Sequence, residues 1–281
     1  MAEAVGRRVT DAEGKKGPLN FKVVPRLLVG LPNTGIVRFE WAMQLTQLLY
    51  PVNWSQSIMA PQLPIYGPMD YSVAQARNLC VEQALENGFE WLFFLDTDTI
   101  PPADLLVHLN KYITRGDIPI VAGVYYSKGM PSHPLVFRGR GNGTYLDWNR
   151  GDKVWVDGVP MGCTLINTKI FEHLPHTELT DGTGGTGWYD TPRFAAHDPE
   201  TGMFHREVGT EDLHFCDRVM KHDVLRKAGF PKVADKEFPF LIDTNIWCTH
   251  INGSGQCYPP IVVKPGVSAK AMYEDEELDG D

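Results

Sequence analysis

Asp96 and Asp98 stand at the end of a run of five apolar residues, Trp91-Leu92-Phe93-Phe94-Leu95, with Thr97 between them. A short continuous hydrophobic run reads as a strand buried on both faces, and in open α/β sheets the ligand crevice lies beyond the carboxyl ends of such strands. Side chains alternate along extended backbone, so this spacing turns both carboxylates to one side. Converging carboxylates repel each other and raise a pKa unless positive charge sits between them. A hard divalent cation, Mn²⁺ or Mg²⁺, prefers such oxygen ligands and is often shared with a phosphate. The competing reading is an Asp-rich loop that caps the next helix.

Further along, Glu211 and Asp212 follow Thr210 at the start of a strongly helical segment. Acids in a first turn oppose the helix dipole and Thr210 is a good N-cap, so capping alone accounts for them as well as chemistry does. Arg77 and Asn78 lie in the helix before the acidic strand. A guanidinium fork suits oxygen acceptors, and a surface ion pair is the plainer alternative. Trp188 and Tyr189 could stack on a sugar ring or anchor their loop. Gly158-Val159-Pro160-Met161-Gly162-Cys163 could let backbone approach a ligand or make a hairpin connection. His205 falls in a turn-rich stretch and could meet phosphate, while His108, His173 and His222 sit in helical segments.

The elements that must position these groups alternate in type. Arg26 to Gly30 reads as a buried strand, and Val37, Trp41, Leu45, Leu48 and Leu49 follow at helical spacing. Extended residues around Ser55 to Ala60 precede a helix from Val73 to Asn87, with Ser72 as N-cap and Gly88 as stop. After the acidic strand come a helix through Ala103 to Tyr112, introduced by Pro101-Pro102, and a strand over Ile118 to Tyr126. This order predicts an α/β fold with a mostly parallel central sheet, flanking helices and a smaller C-terminal mixed part. In the second half, short extended pieces at Leu135–Arg138, Lys153–Val156 and Gly162–Asn167 precede a short helix, Lys169–Leu174. Thr177 to Arg206 is rich in glycine and turns, which suggests a lid. A single helix is expected over Thr210 to Ala228, then extended chain from Phe238 to His250. The organisation expected is a flexible segment over 1–20, one domain over 21–265 divided near 127/128 into a nucleotide half (21–127) and an acceptor half (128–265), and an acidic flexible tail over 266–281.

Composition narrows the function classes. The chain has 281 residues, 43% of them hydrophobic and 22% charged, with a formal charge of −9. Such an acidic balance argues against general nucleic-acid binding. No stretch approaches the ~18 consecutive apolar residues of a membrane span, and Met1 to Gly17 lacks a signal-like apolar core, so a cytoplasmic protein is expected. The five cysteines are scattered without a CxxC pair, as suits reduced thiols. Cys216, Cys248 and Cys257 could converge on zinc, but buried small hydrophobes are the simpler reading.

Taken together, the N-terminal βαβ half, the Asp96-Thr97-Asp98 motif, the downstream Gly209-Thr210-Glu211-Asp212 opening a helix with Phe215-Cys216-Asp217-Arg218, and His250 after Ile246-Trp247-Cys248-Thr249 resemble the GT-A fold glycosyltransferases, particularly the family 2-like, DxD-containing enzymes. The likeness runs from Arg26 to Asn252. It implies a metal-dependent glycosyltransferase, a hexosyltransferase-type enzyme that moves a sugar from a nucleotide-diphosphate sugar, with a UDP-sugar favoured, to an acceptor hydroxyl, with inversion. Asp96, Asp98 and His250 would hold Mn²⁺ or Mg²⁺. Pro32, within Leu31-Pro32-Asn33-Thr34-Gly35, together with Arg77, Asp96, Thr97 and Asp98, would bind the donor. Asp212, or else Glu211, would take the proton from the acceptor. Two other functions compete: a haloacid-dehalogenase-like phosphatase with Asp96 as nucleophile, where Ile100 departs from the usual Thr or Val, and a nucleotide-sugar-binding protein without turnover.

Overall fold

The computed structural model describes residues 26–51, 63–139, 143–180, 182, 184–197, 204–208, 210–259 and 264–271. The expected N-terminal segment 1–20, the extended stretch around Ser55 to Ala60 and Gly209 lie outside these residues.

A seven-stranded sheet forms the centre, in the order β2-β1-β3-β7-β5-β12-β6. Its strands are β1 (Leu27–Gly30), β2 (Ile65–Tyr66), β3 (Trp91–Leu95), β5 (Ile120–Val124), β6 (Lys153–Val156), β7 (Cys163–Asn167) and β12 (Phe240–Trp247). Among the described residues, β2, β1, β3, β5 and β12 point one way, while β7 and β6 oppose them. The α/β class and mostly parallel sheet expected from the sequence are therefore present. Inserted between β3 and β5, β7 pairs antiparallel with both.

Alternation along β3 explains why the run is apolar throughout. Leu92 and Phe94 join the core on one face, with Leu28, Ala122 and Phe215, whereas Trp91, Phe93 and Leu95 join the other, with Val29, Leu105 and Leu109. Each such side chain, once fully buried, contributes ~1.5–3 kcal/mol before chain entropy is counted. The two faces are covered by helices: α1 (Phe39–Thr46), α2 (Val73–Glu86), α3 (Leu105–Arg115) and α4 (Lys169–His173). At the head of α2, Ser72 and Gln75 form a reciprocal capping box with both bonds at 3.3 Å, and Gly88 follows the helix with φ 69°.

Several expectations are revised. The single helix over Thr210 to Ala228 is two, α5 (Glu211–Lys221) and α6 (Val224–Lys227), parted where Asp223 adopts φ 49°. Apolar periodicity carried the prediction through a break that only the backbone of one residue makes. A short helix, α7 (Pro231–Ala234), comes next. Residues 135–138 contribute only an isolated bridge, Phe137 to Gly158, instead of a strand. Thr177 to Arg206, expected to be rich in turns, carries regular structure where it is described. Its described residues form a hairpin of β8 (Thr177–Glu178) with β9 (Thr186–Gly187), and β10 (Arg193–His197) pairs antiparallel with β11 (Phe204–Val208). At the other end, the chain stays docked beyond residue 265, because Arg150 N donates to Val267 O and Ala269 N to Trp148 O, each at 2.9 Å. No helix among the described residues is long and apolar enough to cross a membrane.

Candidate active site

Because β1, β3, β5 and β12 run in one direction, their carboxyl ends open on one edge of the sheet. That edge gathers Pro32 after β1, Asp96 to Asp98 after β3, Tyr125 to Lys128 after β5, and His250 after β12. Its floor is a small sheet in which β4 (Thr99–Ile100) pairs antiparallel with β13 (Thr249–Ile251), and β13 with β14 (Cys257–Tyr258). The pairing places His250 opposite Thr99, and Ile251 N donates to Asp98 O at 2.8 Å. Two residues distant in sequence are thereby fixed together.

The acidic motif is not extended, contrary to the alternation argument. β3 ends at Leu95, and Asp96 to Thr99 make a turn closed by Thr99 N donating to Asp96 O at 3.0 Å. Trp41, buried on α1, clasps this turn by donating its Nε1–H to the carbonyls of Asp96 (3.0 Å) and Thr99 (3.1 Å). The carboxylates therefore part company. Arg77 Nη2 donates to both oxygens of Asp96 at 3.1 Å, while Asp98 meets Lys128 at Oδ2 and His250 Nε2 at 3.4 Å from Oδ1.

Arg77 is 2% exposed and also donates from Nε to Glu211 Oε1 at 3.1 Å. It is thus neither a surface ion pair nor directed at solvent. It bridges the end of β3 to the start of α5, with its guanidinium over the Phe94 ring at 5.1 Å and Nη1 left without a hydrogen-bond partner among the described residues. Burial favours losing its proton, but Asp96 and Glu211 outweigh burial and keep it charged. Burial chiefly raises the Asp96 carboxyl, with Arg77 opposing and Asp98 adding to the rise. For Asp98, burial also works upward, yet His250 and Lys128 prevail and hold the pKa at about 2.

Asp96 packs against Gly162, whose carbonyl accepts from Asp96 N at 2.9 Å and whose N–H donates to Tyr125 Oη at 2.9 Å. A Cβ at residue 162 would lie 2.5 Å from Tyr125 Oη and 3.0 Å from Asp96 Oδ2. Gly162→Ala is expected to lower stability by ~1–3 kcal/mol, measured by urea denaturation, as overpacking does elsewhere. A cost within error of zero would mean that these groups yield freely. So this glycine serves close packing behind Asp96.

Glu211 and Asp212 separate as well. With Glu211 committed to Arg77, Asp212 keeps only local bonds among the described residues, Oδ1 accepting from Leu213 N at 2.7 Å. Burial first, and the neighbouring Glu211 second, push its carboxyl above the usual range. The charges of Asp96 and Asp212 both reach Tyr125, where, with burial, they raise the phenol.

The donor set can be tested against a divalent cation. His250 Nδ1 lies 2.7 Å from Tyr126 O, and only an N–H can bond a carbonyl, so in the neutral ring the lone pair is on Nε2, facing Asp98. A lone pair and a carboxylate oxygen in that arrangement repel unless a proton on Nε2 or a metal ion lies between them. Among the described residues no three His, Cys, Asp or Glu side chains gather into a complete metal cage. Asp98 and His250 therefore fit a cation whose other ligands come from phosphate and water. A ligand role for Asp96 would need Arg77 to release one oxygen.

Other expected site residues take different places. Trp188 (8% exposed) and Tyr189 (0%) are core and not free for a sugar: Asn78 Oδ1 accepts from both backbone N–H groups, and Tyr189 stacks on Phe215 at 4.6 Å. Asn78 is thus a buried clamp. Pro32 is buried at the exit of β1 and Thr97 is half-buried in the turn. Of His205 only the backbone, in β11, is described. His108, His173 and His222 lie on α3, on α4 and at the end of α5. Cys216 and Cys248 belong to the cores on opposite faces of the sheet, which keeps them from a common zinc. Lys128, Tyr125 and Trp41 were not singled out beforehand. The rule that ligands gather beyond strand ends, applied to Ile118–Tyr126, points at the first two.

No protein-family model matches the chain, and no curated protein matches it. Among solved structures it is similar to A197 from STIV, at 17% identity with TM-score 0.52, covering 86% of this chain and 96% of that one. This likeness bears on the fold. A weaker one is to S. aureus TarS 1-349, in complex with UDP-GlcNAc (12% identity, TM-score 0.36, 57% of this chain and 51% of that one) and with UDP (11%, 0.41, 79% and 59%). The chain thus spans little more than half of those TarS chains.

Proposed function

We propose that the protein is a metal-dependent glycosyltransferase that moves a sugar from a nucleotide-diphosphate sugar to an acceptor hydroxyl with inversion. The observation that carries this is the pairing of Asp98 with the Nε2 face of His250 at the carboxyl end of β3, together with a carboxylic acid, Asp212, that is largely desolvated, free of ion pairs among the described residues, and acts on Tyr125, whose ring lies 5.2 Å from that of His250. When bound there, Mn²⁺ or Mg²⁺ would stabilise charge developing on the departing diphosphate. Asp98 and His250 would hold that ion, Tyr126 O fixing the imidazole. Arg77 keeps Asp96 and Glu211 in place and so ties the donor edge to the helix carrying Asp212. Asp212 would accept the acceptor proton. UDP is the first nucleotide to test, on the strength of the family resemblance alone.

The phosphatase alternative fares worse, since its nucleophile, Asp96, has both oxygens bonded to a buried arginine. A panel of nucleotide sugars with Mn²⁺ or Mg²⁺, scored by nucleoside diphosphate release, tests the proposal. Release that requires the metal supports it; phosphate release from simple esters instead would transfer the site to phosphatase chemistry.

A base must be unprotonated to act, so the raised Asp212 carboxyl should place the acidic limb of kcat/KM above the ordinary carboxylate range, with the rate climbing as pH rises through it. Asp212→Asn should lower kcat by ~10²–10⁴ and abolish that limb. A variant retaining both rate and limb would remove Asp212 from the reaction.

A further inference from the structure

Lys128 sits on the loop after β5, and the base of that loop is pinned: Ser127 N donates to His133 O at 2.8 Å, His133 N to Ser127 Oγ at 3.0 Å, and Ser132 Oγ to Ser127 O at 2.8 Å. The backbone is anchored, and what remains free to swing is the four-carbon side chain. Its ammonium contacts Asp98 Oδ2, while His250 faces the other oxygen, Oδ1. The carboxylate proposed to bind the cation is thus already shared with a positive charge, and the ammonium has no other carboxylate partner among the described residues.

We propose, resting on the reading of Asp98 and His250 as a divalent-cation site, that Lys128 is a resident cation of that site: it occupies Asp98 when no donor is present and shifts to a diphosphate oxygen when nucleotide and metal enter. The electrostatics follow from position. A divalent ion arriving alone at Asp98 must approach a positive charge a few ångströms away or displace it. A diphosphate supplies the anionic oxygens that an ammonium binds well as a compact point charge, and it relieves that repulsion. Metal and nucleotide therefore bind cooperatively, and by linkage each strengthens the other equally. The device would keep the site from filling with metal unless a diphosphate accompanies it.

Lys128→Met keeps the length of the side chain and removes its charge. At 31% exposure the position should tolerate this, with thermal unfolding as the check. Mn²⁺ binding is measured by electron paramagnetic resonance in the wild type and the variant, without and with UDP. The wild type should bind Mn²⁺ weakly alone and about tenfold or more tightly with UDP. The variant should bind Mn²⁺ alone about tenfold more tightly than the wild type, and its enhancement by UDP should shrink by about the same factor. Equal Mn²⁺ affinities in the two proteins, with and without UDP, overturn the role of Lys128 while leaving the cation site intact. No Mn²⁺ binding by either protein under any condition removes the site itself and the inference with it.

Discussion

Asp98→Ala is expected to reduce metal-dependent sugar transfer by about a thousandfold and to leave thermal unfolding within a few degrees of the wild type. The two halves of this expectation have separate causes. Asp98 is 43% exposed, and its partners are a lysine on a loop and a histidine whose ring is already fixed by Tyr126 O, so little of the core depends on it. On the proposed mechanism, however, removing it would leave His250 as the lone protein donor to the cation among the described residues, and charge on the leaving diphosphate would lose its counterweight. The variant's Mn²⁺ affinity should fall along with kcat. A variant that unfolds early instead would show that Asp98 is needed for the turn, and one that transfers at the normal rate would take the reaction elsewhere.

Arg77→Ala should do the opposite, acting on stability first. The side chain is buried, with Asp96 and Glu211 on it, and its removal strands two carboxylates that both bond the guanidinium, one of which, Asp96, burial already holds back from ionising. Breaking a buried pair from one side costs about 3–5 kcal/mol, so a large drop in the urea midpoint is expected. Lys at this position can satisfy one acid but not the fork that Nε and Nη2 make together, so Arg77→Lys should recover only part of the loss. The effect also has a pH sign. With the arginine gone, the already raised Asp96 carboxyl is more easily protonated in the folded state, so the variant should regain stability as the pH falls through that raised folded value toward the ordinary carboxylate range and lose it again as the pH rises back through it. A variant as stable as the wild type at neutral pH would mean that water, not Arg77, compensates these acids.

Much of this arrangement could be read from residue types and spacing because it is local. The run from Trp91 to Leu95 is apolar at every position since both faces are buried, and that fixes the strand, its centrality and the place of the acids beyond its end. The Ser72 and Gln75 box and Gly88 mark both ends of α2 for similarly local reasons. What escaped was non-local. Nothing in the neighbourhood of Arg77 reveals that Glu211, 134 residues away, will face it. That contact converts an arginine expected at the donor into a brace and leaves Asp212 without an ion pair among the described residues. Trp188 and Tyr189 looked available because glycines surround them; Asn78 and Phe215, contributed by α2 and α5, bury them. The convergence of Asp96 and Asp98 was inferred from extended geometry, whereas a turn held by Trp41 directs them to different partners. Lys128 carried no signal beyond its place just after the Ile118 to Tyr126 strand, and the co-directional ends of β3 and β5 bring it to Asp98.

Diffraction from crystals soaked with Mn²⁺ and a UDP-sugar, collected at the manganese edge, tests the central claim most directly. An anomalous peak between Asp98 and His250 Nε2, shared with the two phosphates and with Arg77 still on Asp96, is the expected result. Donor density without a peak there, and Asp98 still joined to Lys128, would contradict it.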